Sequence, residues 1–137
     1  MERAAKERYG KEASPFGFED LETYKAARLF RHRMYVFATD LPHCEVFNLV
    51  SQIRRASLSL TNNIAEGYGR HHWQDNCHFC RQARGSLMEL VEDLNACLDE
   101  GYITQEMHKT CRADAANVLR LLNGYIAYLQ RQKNQEK

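Results

Sequence analysis

Three groups of residues in this 137-residue sequence combine reactive or ligating side chains with suggestive spacing. Cys77-His78-Phe79-Cys80, with His71 and His72 just upstream, offers the donor types of a zinc site, and on a helix the two cysteines share a face. No second Cys-x-x-Cys and no spaced histidine pair accompanies them, and cysteine packs well as a small buried hydrophobe. Core packing is therefore expected, and no metal or other cofactor is assigned. Asn63 and Glu66 lie three residues apart ahead of Gly67. A lone carboxylate beside an amide lacks a nucleophile or a second acid, so no catalytic residue is assigned and the chain is not expected to be an enzyme. The expectation is a buried structural network of Asn63, Glu66 and Arg84, in which Glu66 reaches Arg84 and the turn amides. Gly85 costs a helix about 1 kcal/mol, which close approach of the preceding helix would offset.

The third group is basic. Arg54, Arg55, Arg70, Arg81 and Arg84 carry guanidinium groups, whose planar forks suit phosphate. The competing use is pairing with the acidic run Glu89, Glu92 and Asp93. Arg54 and Arg55 point about 100° apart on a helix and do not readily share one partner. Lys25, Arg28, Arg31, His32 and Arg33 meet no acid between Glu22 and Asp40, which makes them the better phosphate-facing surface. Tyr68, Arg70, His71, His72 and Trp73 form an aromatic and basic turn that suits either base stacking or closure of one end of a core.

Charge is unevenly spread. The chain has 19 Lys+Arg against 18 Asp+Glu, a formal net charge of +1. Residues 23 to 84 hold nine bases and four acids, whereas residues 85 to 106 hold six acids and no base. The near-neutral total is a cancellation, which excludes a uniformly basic coat but permits oppositely charged surfaces. A hydrophobic fraction of 44% with 27% charged residues excludes a wholly disordered chain. No apolar run of about 18 residues is present, the first residues are charged, and five cysteines form no disulfide framework. The expectation is a cytoplasmic protein with no membrane contact.

These residues require helices to position them. Apolar positions Leu21, Tyr24, Ala27, Phe30, Met34, Phe37 and Leu41 step by three or four and predict a helix from about Glu19 to Thr39, ended by Pro42. A second is expected from about His43 to Glu66, with Pro42 suited to its first turn and Gly67 and Gly69 stopping it. A third runs from about Trp73 to Glu100 and ends at Gly101; a fourth, capped by Thr104, runs from about Gln105 to Arg131. Short connections make the neighbours antiparallel, so the fold class is all-α, an up-down-up-down four-helix bundle over residues 18–131. A polar leader is expected over 1–17 and a frayed tail over 132–137. Leu29, Val36, Leu58, Leu119, Ile126 and Tyr128 lie off the inward stripes and suit an oligomer interface better than solvent.

Ser51-Gln52-Ile53-Arg54-Arg55-Ala56, then Asn63-Ile64-Ala65-Glu66-Gly67-Tyr68-Gly69-Arg70, then Ala83-Arg84-Gly85-Ser86-Leu87 follow one another along the chain. With Phe18-Glu19-Asp20-Leu21, Tyr24, Ala27 and Tyr35, these blocks closely resemble the four-helix-bundle proteins encoded by intervening sequences in 23S ribosomal RNA genes. The resemblance covers about Phe18 to Leu129 and implies an antiparallel bundle that assembles as a homopentamer. The accessory variability proteins of diversity-generating retroelements are similar in fold, and that likeness implies nucleic acid and a reverse transcriptase as partners. The expected function is a non-enzymatic oligomeric scaffold that binds RNA or DNA through Lys25, Arg28, Arg31, Arg33, Arg54, Arg55 and Arg70. The alternative is a protein-interaction module without nucleic-acid binding.

Overall fold

Why the helices start and stop where they do is visible in a computed structural model that describes residues 14–136. Residues 1–13 of the expected leader lie outside the described residues. Gly17–Asp20 form a 3-10 turn, so the first α-helix, α1 (Glu22–Thr39), begins three residues later than its apolar stripe suggests. Asp20 accepts from the Ser14 amide and Glu19 from the Ser14 hydroxyl, which draws the acidic residues away from a helical first turn. Pro42 precedes another 3-10 turn, His43–Glu45, rather than opening a helix, and α2 (Leu49–Gly69) starts at Leu49. Glu45 explains the delay. Its carboxylate accepts from the Leu49 amide and the Asn48 side chain, and from Tyr102 Oη at 2.7 Å, tying this connection to the one between the last two helices.

Gly67 does not stop α2, which runs on to Gly69, its last residue. Gly67 is instead a packing residue: a Cβ there would lie 2.7 Å from Asn76 Oδ1 and 3.0 Å from Phe79 Cβ on α3 (Trp73–Asp99). The left-handed residue of the turn is His71, at φ 53°, a conformation that L side chains seldom adopt. Gly101 does terminate α3, at φ 77°, with the Tyr102 amide bonding Cys97 O and the Gly101 amide bonding Leu98 O. Thr104 Oγ1 caps α4 (Gln105–Gln135) by accepting from the Met107 amide. That helix continues four residues past the expected end at Arg131.

Each helix packs on its chain neighbours and α1 closes on α4, giving the antiparallel four-helix bundle; no strand occurs among the described residues. Phe30, Met34, Ile53, Leu60, Ile64, Leu87, Leu90, Leu94, Leu122 and Leu129 are sealed inside. Ile126 joins this core and Leu119 packs half-buried against it, so neither is the outward residue expected, while Leu29, Val36, Leu58 and Tyr128 do remain exposed. No described helix is long and apolar enough to cross a membrane.

Candidate nucleic-acid interface

The seam between α1 and α2 gathers basic side chains without acids. From Thr23 to Thr39 and from Leu49 to Ala65 the two helices contain no Asp or Glu. Across this seam Arg31 Nη1 donates to Thr61 Oγ1 at 2.8 Å, and the Arg54 guanidinium lies over the Tyr35 ring, 4.2 Å from its centroid. Both partners are neutral. Among the described residues no carboxylate pairs with either guanidinium, and His32 and Arg28 stand exposed on α1 about one and two turns before Tyr35.

Other members of the expected set are placed differently. Lys25 forms an exposed ion pair with Glu22, Arg33 meets Asp114 of α4 at 2.9 Å, and Arg70 bonds Glu66 through Nε and Nη2. Arg70 also covers the Phe79 ring. Exposed pairs of this kind contribute about 0–1 kcal/mol each, so they tune surface charge more than they hold the fold. Arg55 turns to the α3 side, where it faces Asp93. That carboxyl is buried, and its pKa is pushed up to about 6, first by burial and then by Glu89, with Arg55 opposing and Glu92 adding to the rise.

Asn63, Glu66, Arg84 and Gly85 do not form one network. Glu66 pairs with Arg70, one helical turn away, whereas Arg84 reaches across to Asn123 Oδ1 at 2.8 Å. Asn63 donates to Ser59, whose hydroxyl meets that of Ser86 at 2.9 Å, so the polar link between α2 and α3 passes through serines. A Cβ on Gly85 would touch nothing within 4 Å, so that glycine is not the close-approach residue; Gly67 is.

Cys77, Cys80 and Cys97 are buried core thiols. Burial, with Cys77 adjacent, pushes Cys80 up to about 12, and burial pushes Cys97 up to about 11, so these two thiols stay protonated and poorly nucleophilic. His72 is occupied as the N-cap of α3, accepting from the Asp75 amide. Among the described residues no three His, Cys, Asp or Glu side chains converge on a common point.

The aromatic turn opens into a cleft of about 390 Å³ lined by Tyr68, His71, Trp73, Asn76, Tyr125 and Tyr128, with Leu21 beside them. Tyr125 and Tyr128 come from α4 and were invisible to a local reading of the turn. Their rings are nearly parallel, 14° apart, and the Trp73 ring stands at 86° to that of Tyr128. Asn76 Nδ2 donates to Tyr125 Oη at 3.1 Å, and Asn76 Oδ1 accepts from the Cys80 thiol. Burial pushes the Tyr125 hydroxyl up to about 12, which keeps it a hydrogen-bond donor.

The family model described as 23S rRNA-intervening sequence protein matches residues 19–124. That span takes in α1, α2, α3 and two-thirds of α4. No curated protein matches the chain.

Proposed function

Starting from the fact that the chain belongs to the 23S rRNA-intervening sequence protein family, we propose that it is a non-enzymatic cytoplasmic scaffold that assembles as a homo-oligomer, a pentamer by the family resemblance, and binds RNA or DNA. The observation that carries this reading is the α1–α2 seam, where Arg31 and Arg54 are oriented by a hydroxyl and an aromatic ring and, among the described residues, no carboxylate pairs with them. Guanidinium groups held in this way bind phosphate by counterion release, independently of sequence. Repetition of the seam around an oligomer multiplies a weak contact through effective concentration. A reverse transcriptase is the protein partner that the retroelement likeness suggests.

A second reading draws on Leu29, Val36 and Leu58, which remain 51%, 53% and 44% exposed, and on Phe47, which is 94% exposed. Apolar side chains so placed suit assembly, and α1 then serves as an interface with no nucleic acid. Titration of structured RNA and duplex DNA across a salt series separates the two. Under the first reading the logarithm of the affinity falls linearly with log salt; absence of binding at about 50 mM salt leaves only assembly. Light scattering tests the oligomer separately, with a monomer at micromolar concentration contradicting both readings.

A further inference from the structure

The cleft at the α2–α3 turn has the composition of a base-stacking site rather than of a bundle end sealed for stability. Trp73, Tyr68 and Tyr125 are only half-buried and Tyr128 is 41% exposed, so their faces are not consumed by the core. The near-parallel Tyr125 and Tyr128 rings make one wall and Trp73, nearly perpendicular to Tyr128, makes another. A planar ring stacked on one wall presents its edge to the other, which is the offset and edge-to-face geometry aromatic groups prefer. A polar edge is present as well. Tyr125 Oη already accepts from Asn76, so its own proton is left to donate, and Asn76 is fixed by Tyr125, Cys80 and the close approach of Gly67.

The chemistry of the lining distinguishes between ring-shaped ligands. Among the described residues no carboxylate lines the cleft, and the one basic group that does is His71. A quaternary ammonium or an alkylated lysine would find π faces without a counter-charge. A nucleobase would find the same faces, a hydrogen-bond donor at its edge, and no acid to repel the phosphate it carries. The volume of about 390 Å³ lies within the range of small-molecule sites. Tyr68 also lies on the same helix as Arg54, about 21 Å further along its axis, so a strand whose phosphates lie on the seam is continuous with a base in the cleft.

We propose that the Tyr68–Trp73–Tyr125–Tyr128 cleft binds one unstacked nucleobase, giving the protein a preference for single-stranded over duplex nucleic acid. The cleft itself is independent of the α1–α2 seam, and only the strand-level preference rests on the polyanion reading. Stacking on aromatic side chains tolerates every base and is lost in a duplex, where the faces are already occupied.

Trp73 is the only tryptophan in the chain, so its fluorescence reports the cleft directly. The full chain is titrated with adenosine monophosphate, with a short single-stranded oligoadenylate, with an abasic oligomer of the same backbone length, and with tetramethylammonium. Saturable quenching by the nucleotide is expected, together with about tenfold tighter binding of the oligoadenylate than of the abasic strand. Tyr128→Ala removes an exposed wall, and Tyr125→Phe removes only the donor. The first variant is expected to abolish the preference and the second to reduce it, both leaving abasic-strand affinity unchanged. Unquenched Trp73 with equal affinity for the base-bearing and abasic strands overturns the proposal, as does quenching by tetramethylammonium instead of the nucleotide. Salt-dependent abasic binding without quenching leaves the seam standing and removes the cleft. Quenching by the nucleotide with no abasic binding does the reverse.

Discussion

On its α1 side, α2 meets its neighbour through Arg54 over the Tyr35 ring and Thr61 beneath the Arg31 guanidinium; on its α3 side it meets Ser86 through Ser59 and admits Asn76 and Phe79 against the bare Cα of Gly67. The first seam leaves charge exposed and oriented. The second excludes solvent with small side chains, and the basic residue it offers, Arg55, faces a buried acid. One helix therefore separates two tasks by flank. Packing specificity resides where α2 faces α3, and surface chemistry resides where it faces α1. Damage to one flank is expected to spare the other.

The largest expected effect falls on the packed seam. Gly67→Ala places a methyl 2.7 Å from Asn76 Oδ1 and 3.1 Å from a backbone oxygen, and is expected to lower stability by about 1–3 kcal/mol in urea unfolding. The folded fraction should keep the salt-dependent nucleic-acid binding proposed for the first seam. Asp93→Asn tests the same flank through pH. Because the folded carboxyl is raised to about 6, the native state binds a proton more tightly than the unfolded state. Wild type should therefore lose stability relative to the variant as pH rises from about 4 to about 6, by roughly 1–2 kcal/mol, with the gap constant above that window. A flat difference across the window would remove Asp93 from the account. Gly85→Ala carries the smallest effect and the opposite sign. With open space around it, the added methyl should stabilise α3 by about 0.5–1 kcal/mol.

The contrast between the two glycines also marks what could be read along the chain. The stripe from Tyr24 through Ala27, Phe30, Met34 and Phe37 is a local, periodic signal, and it predicts the buried face of α1. Gly101 and Thr104 are equally local, since a left-handed terminator and an N-cap act within a few residues. Gly67 and Gly85 look alike in sequence, and only the distance to a second helix separates them. The same limit applies to the arginines. Their number and their freedom from nearby acids were legible, but the partners Thr61, Tyr35, Asp114 and Asn123 depend on interhelix register. Half of the aromatic cleft was legible at Tyr68 and Trp73, while Tyr125 and Tyr128 lie about fifty residues away. The start of α2 was displaced by Glu45, whose carboxylate holds the preceding turn by bonding Tyr102 from the far connection.

The central claim is that arginines held by neutral partners, rather than those paired with acids, face the phosphates. Duplex DNA binding measured against log salt for Arg31→Ala/Arg54→Ala and for Arg33→Ala/Arg70→Ala tests it directly. The account predicts that the first pair lowers the slope by about 1.8 and weakens binding, while the second leaves the slope nearly at the wild-type value. Equal losses from both pairs, or a loss confined to the acid-paired arginines, would contradict it.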